Sequence, residues 1–304
     1  MERNSSIDYI KGSLIFTVII GHILLGSLDA NLIRYVIYSF HMPAFFFISG
    51  YLLNIEKIRL LCFCQLIGKY WKRMSLPWSI AWVVYTAYVV YDNLSFGAVA
   101  NNILNPYYHL WYVPSLFMMI VIVWTASRYF DNVKNILFFL FVTGILLFNF
   151  SNTPYSIGSA WNCRMLPFFA LGIVGRRLLI DIKWGGVILI PIYLAIVICT
   201  KLVMGENAQF FRTYLMLPLA ALLCTFAILP LMRKKLLQNK VLEYWGKQSL
   251  HIYLWHVVPI IVLKQIFTGN DVAYYIVSFA LVVLFGLISY MICKIKKMGV
   301  QGAY

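Results

Sequence analysis

Negative charge is what this chain has least of. Ten Asp and Glu stand against 25 Lys and Arg in 304 residues, a formal net charge of +15. Asp8, Asp29, Asp92 and Asp271 lie near or beyond the ends of apolar runs rather than inside them. Chemistry that rests on several buried carboxylates is therefore disfavoured, and so is a proton-driven carrier that needs acids within its spans. Long polar stretches are scarce as well. The longest lie near 55–74, 93–108 and 233–248, each too short to bury its own core. No fused soluble domain is expected, and 1–304 reads as one transmembrane domain. A Walker-type glycine loop, an HExxH pair and a G-x-S-x-G elbow are absent. The six cysteines are scattered. Cys62 and Cys64, separated by a single residue, match no zinc spacing, and only Cys163 falls near the outer face, so neither a bound metal nor a disulfide is expected. No internal repeat supports a transporter built from inverted halves.

What the chain has in abundance is apolar length. It is 62% hydrophobic and 12% charged, far from the soluble range. Ten apolar runs, near 10–28, 34–54, 75–92, 109–127, 135–150, 161–179, 184–204, 213–232, 249–268 and 272–293, have the length of transmembrane helices. The third and fifth are the shortest or least well bounded. The expected class is all-α, a polytopic membrane bundle of about ten helices. The first run has no small-residue cleavage site after it and reads as a retained helix. With the N-terminus in the cytoplasm, every Lys and Arg except Arg34, Arg164, Lys201, Arg212 and Lys264 falls on the inner side. That asymmetry sets the orientation and places both termini in the cytoplasm. Basic residues spread over many inner loops argue for a membrane surface and against nucleic acid.

Within this apolar background the polar exceptions are informative. Lys11 and His22 lie eleven residues apart on the first run, about three helical turns, so they share one face roughly 16 Å apart. His41 falls at a similar depth in the second run. Buried cations and imidazoles are costly in lipid and usually face a protein interior or a wet cavity. A neutral imidazole can accept a hydroxyl proton, the general-base task, although a histidine can also simply bond across helices. Lys11 can snorkel to the headgroups. Alternatively, Lys11 with Lys69, Lys72 and Arg73, at the inner mouth of the third run, forms an anion site suited to the phosphates of a coenzyme A thioester. Anionic lipid is the competing use of the same cluster. On the outer side, His109 and Trp111 open the fourth run, and Arg164 opens the sixth; each has an interfacial reading beside a substrate-binding one. His251 and His256 in the ninth run read as packing residues.

These positions resemble the acyltransferase 3 family of integral membrane acyltransferases, particularly fucose O-acetylase-like members. The stretch Ser6-Ile7-Asp8-Tyr9-Ile10-Lys11-Gly12 followed by His22 is similar to the family's opening motif. Phe40-His41-Met42-Pro43-Ala44-Phe45-Phe46-Phe47-Ile48-Ser49-Gly50-Tyr51 resembles its second-span signature. Lys72-Arg73 before Leu76-Pro77, His109-Leu110-Trp111-Tyr112 and Ser249 to His256 are similar to further signatures. The third-span match departs from the pattern, because many members carry Arg-x-Arg where this chain has Lys69-Tyr-Trp-Lys72-Arg73. The resemblance covers nearly the whole chain.

The resemblance implies transfer of an acyl group, usually acetyl from cytoplasmic acetyl-CoA, to a sugar hydroxyl of a surface polysaccharide or its lipid-linked precursor. It implies His22 as the catalytic histidine, with Lys11, Lys72 and Arg73 handling the donor, and a bacterial inner membrane as the setting. His41 is expected to assist, and His109, Trp111 and Arg164 to hold the acceptor. The chain stops soon after the tenth run, so the extracytoplasmic hydrolase-like domain fused to some members is not expected. The contrasting expectation is a non-enzymatic carrier or flippase for an anionic glycolipid, whose path the histidines would line. Such a protein would ignore acetyl-CoA.

Overall fold

The computed structural model describes residues 4–27, 30–89, 95–107, 109–151, 158, 161, 163–177, 185–205, 216–233 and 239–301. Asp29, Asp92, Arg212 and the inner-side cations Arg3, Lys183, Lys234 and Lys235 lie outside them. Among the described residues every regular element is helical, with no strand. The helices are α1 (Ser5–Ile23), α2 (Leu32–Leu52), α3 (Ile55–Arg59), α4 (Phe63–Tyr70), α5 (Leu76–Val89), α6 (Phe96–Leu104), α7 (Tyr112–Tyr129) and α8 (Val133–Ser151). After them come α9 (Leu166–Gly175), α10 (Gly185–Met204), α11 (Met216–Leu223), α12 (Leu229–Arg233), α13 (Lys240–Lys247), α14 (Ser249–Trp255), α15 (Val257–Ile266) and α16 (Asp271–Gln301).

Among the described residues each of the ten apolar runs contains helix, but of unequal length. Six helical stretches among the described residues are long and apolar enough to cross a bilayer: α1, α2, α7, α8, α14 with α15, and α16. Of the others, α9 has ten residues and α5 fourteen. The first run begins earlier than its apolar composition suggests. Asn4 caps it by accepting the Ser6 N–H at 3.0 Å, and Asp8 in the first turn complements the helix dipole. Beyond its end, Gly26 takes a positive φ of 88° in the turn toward α2. The sixth run starts late because Pro167 sits in the first turn of α9, where its missing N–H is harmless.

Two segments widen into π-helix, Trp71–Ser75 and Cys224–Ile228, and each is followed directly by Leu-Pro: Leu76-Pro77 and Leu229-Pro230. A proline in a helix cannot donate to the carbonyl four residues back and its ring clashes there. Wider i→i+5 bonds, Leu76 N–H to Trp71 O and Leu229 N–H to Cys224 O, relieve that clash without breaking the helix.

The chain divides into two compact units, 1–45 with 180–304 and 46–179, the boundary falling within α2. In the first, α1 and α13 cross at backbone contact. A Cβ on Gly12 would lie 1.9 Å from the Leu242 carbonyl oxygen, and one on Gly246 would lie 1.7 Å from that of Asp8. Small residues permit such an approach where lipid supplies no hydrophobic drive. The Trp245 indole donates to Ser289 Oγ at 2.9 Å, fastening α13 to α16, and the Tyr193 hydroxyl donates to Ser39 Oγ at 2.8 Å, fastening α10 to α2. Tyr274 and Tyr275 hydroxyls meet Ile23 O and Leu25 N, so α16 starts beside the end of α1.

In the second unit the same kind of crossing joins α2 and α9. A Cβ on Gly50 would lie 1.9 Å from Phe169 O, and one on Gly172 the same distance from Phe47 O. Indoles complete this unit's helix ends. Trp82 and Trp161 donate to Asn102 O and Ile103 O, two last-turn carbonyls of α6 that lack helical partners.

Candidate active site

The first unit gathers three imidazoles and a phenol from three parts of the chain. His22 occupies the last turn of α1 and is half-buried. Its ring centroid lies 5.1 Å from His256, at the α14–α15 junction, and 5.9 Å from Tyr38 on α2. Tyr38 in turn meets His41, one turn along α2, at 4.9 Å. All three contacts are edge-on, the arrangement that points ring edges at π faces. His41 and His256 are buried, at 4% and 8% exposure.

Backbone carbonyls fix the protons on two of these rings. His41 Nδ1 lies 2.7 Å from Ile37 O, and His256 Nδ1 lies 2.8 Å from Tyr253 O and 3.1 Å from Ile252 O. A carbonyl oxygen only accepts, so each Nδ1 carries the hydrogen and each neutral ring keeps its lone pair on Nε2. His22 is held differently. The Tyr38 hydroxyl stands 3.3 Å from its Nδ1 and 3.5 Å from its Nε2. A hydroxyl both donates and accepts, so this neighbour tolerates either tautomer and can follow a proton on or off the ring.

Lys11 stands about three turns down α1 from His22, with Asp8 at 4.0 Å. Lys11 therefore cannot touch what His22 touches unless the ligand is long. Lys69, Lys72 and Arg73 belong to the second unit and are exposed. Lys69 Nζ sits 5.6 Å from the Tyr70 ring centroid, and the other two lie on the π-helical turn that Pro77 requires. Burial pushes the Tyr70 phenol above its usual pKa, against the opposing pull of Arg73. Exposed cations on a widened turn suit a polyphosphate, since each has a flexible reach.

The outer-side candidates separate. Arg164 places its guanidinium 5.5 Å from the Trp111 ring centroid, a cation–π pair. It follows Cys163, whose φ of 47° is left-handed for a side chain that disfavours it. His109 instead is buried against Tyr85 at 5.4 Å. Sequence reasoning passed over Tyr38 and treated His256 as packing. Tyr38 was findable, because it precedes His41 by three residues and so shares its face. The meeting of His256 with His22 was not, since it depends on how α14 and α15 pack on α1.

A family model described as "Acyltransferase domain" matches residues 4–291. The chain is 28% identical over 132 residues to the nodulation protein NolL of Sinorhizobium fredii (strain NBRC 101917 / NGR234), covering 39% of this chain and 36% of that protein. It is 32% identical over 142 residues to the nodulation protein NolL of Mesorhizobium japonicum (strain LMG 29417 / CECT 9101 / MAFF 303099), covering 42% and 38%. The chain thus aligns with well under half the length of these curated relatives. No solved structure matches.

Proposed function

The chain belongs to the acyltransferase family whose model spans it and is a membrane acyltransferase; from that premise we propose that it moves acetyl from cytoplasmic acetyl-CoA to a hydroxyl of a surface polysaccharide or its lipid-linked precursor. The setting is a cell membrane, by this reading the bacterial inner membrane. His22 takes the proton from the acceptor hydroxyl. The oxygen attacks the thioester carbonyl, a C–O bond forms and the C–S bond breaks. The coenzyme A thiolate leaves and recovers a proton from the imidazolium. Tyr38 steadies His22 in either protonation state, and His41 orients the acceptor. Lys69, Lys72 and Arg73 in the second unit, and separately Lys11 in the first, are our candidates for the donor's phosphates, and Trp111, Arg164 and His109 are our candidates for the sugar.

The observation that carries this reading is the His22 imidazole, half-buried yet touched by a hydroxyl that accommodates both of its tautomers. The test uses purified protein in proteoliposomes with radiolabelled acetyl-CoA and bacterial membrane glycan. Label entering the glycan supports acyl transfer. Glycolipid movement across the bilayer without acetyl-CoA binding would replace this reading by the carrier one.

A further inference from the structure

His256 borders open space as well as His22. A cavity of about 600 Å³ in the first unit is walled by the end of α13, by α14–α15 and by α16. Ile19 and Ile23, on either side of His22 along α1, complete it. Its polar side chains include Tyr244, Gln248, His251 and Ser278 besides His256. Trp255 and Leu281 in its wall are exposed, so it is an open cleft. One side of the His256 ring therefore faces empty volume and the other faces the His22 ring. Empty volume supplies no packing to hold a ring, and two backbone carbonyls hold this one instead.

That anchoring leaves His256 a single role toward its neighbour. Nδ1 gives its hydrogen to Tyr253 O and Ile252 O, so the buried Nε2 of the neutral ring accepts and cannot donate. Tyr38, the other ring beside His22, does either and so selects no tautomer. A general base needs its lone pair on one nitrogen and its hydrogen on the other, and a neighbour must fix which. The spacing suits such a neighbour. Two imidazoles joined by a hydrogen bond of about 2.9 Å, each nitrogen about 1.1 Å from its ring centre, have centroids about 5.1 Å apart. His22 and His256 stand at 5.1 Å. Turning His22 about its Cβ–Cγ bond, a soft torsion, presents a nitrogen to His256 and barely moves the centroid.

We infer that His256 is the positioning residue of His22. Its Nε2 receives the N–H of His22, which leaves the lone pair of the other His22 nitrogen for the acceptor hydroxyl. That N–H hydrogen stays on His22 throughout; only the hydroxyl proton arrives and later departs to the thiolate. When it arrives His22 becomes an imidazolium, and the bond to His256 becomes charge-assisted and strengthens in the transition state. A neutral ring thus does here what a buried carboxylate does behind the histidine of a catalytic triad, in keeping with a chain poor in acids. The part in catalysis rests on the acyl-transfer reading; the pairing of the two rings does not.

The test puts two amides in turn at this position, in whole protein carrying ¹⁵N-histidine in nanodiscs. His256→Asn keeps an N–H where Nδ1 was and removes the acceptor, whereas His256→Gln sets an amide oxygen where Nε2 was. The His22 signals, identified by their loss in His22→Gln, should show one tautomer in the wild type and in His256→Gln. His256→Asn should show a mixture. In the same preparations kcat for acetyl transfer should fall about ten- to hundredfold in His256→Asn with KM for acetyl-CoA unchanged, and largely return in His256→Gln. An unchanged His22 tautomer in folded His256→Asn, or a kcat there near wild type, would overturn the assignment and leave His256 a packing residue. If His256→Asn does not fold, a ¹⁵N–¹⁵N correlation between the two rings of the wild type decides: its presence supports the pairing and its absence overturns it. Paired rings in a protein that transfers no acetyl sink the acyl-transfer reading alone, whereas transfer without pairing sinks this assignment alone.

Discussion

Both units close their helices with reciprocal glycines, yet they use the space beside each crossing differently. Around the Gly50–Gly172 crossing the second unit is filled: Phe46, Phe47 and Phe169 are all at 0% exposure. The first unit makes its tightest contact low on α1, at Gly12 and Gly246, and leaves the upper part of that helix beside an open cleft. A backbone contact at one end of α1 holds the helix, so its other end can carry an imidazole next to empty volume without collapsing. Rigidity and access are thereby separated along a single helix, as a site that must be both positioned and entered requires.

Adding one methyl at each crossing sharpens this contrast most strongly. Gly246→Ala and Gly172→Ala each drive a Cβ into a carbonyl and should cost about 1–3 kcal/mol, read as a lower Tm in detergent. Only Gly246→Ala should also lower kcat, because it tilts the helix that bears His22. Equal kcat losses in both variants would erase the functional distinction between the units. A smaller effect is expected from the inner cations of the second unit. Lys72→Gln/Arg73→Gln should raise KM for acetyl-CoA about tenfold and leave kcat near wild type, since charge-assisted contacts to phosphate bind ground and transition states alike. A drop in kcat at unchanged KM would move these residues from holding the donor to the chemistry. Smallest is Arg164→Ala. Loss of an exposed cation–π contact is worth about 0.5–1 kcal/mol, a two- to fivefold rise in acceptor KM.

Much of this was legible in the chain and some was not. Helices α1 and α2 and the depth of His22 and His41 follow from apolar length and helical rise, both local properties. The resemblance carried by Lys11, His22 and the run through His41 found the family that the matched model then established. Local reasoning could not foresee the break of the ninth run at His256, where α14 gives way to α15. Nor could it foresee the π turns, although the Leu-Pro pairs were there to suggest them. The cleft and the His22–His256 contact need α1, α14, α15 and α16 in place together. No periodicity in one segment encodes such an arrangement.

The measurement closest to the centre of this account is the single-turnover rate of acetyl transfer by His22→Ala, with coenzyme A binding followed by calorimetry on the same folded sample. The account predicts that binding persists while the rate falls about 10²–10⁴-fold, the contribution of a general base. Transfer at the wild-type rate in a variant that binds coenzyme A normally would contradict it, and the proton would have to go elsewhere than His22.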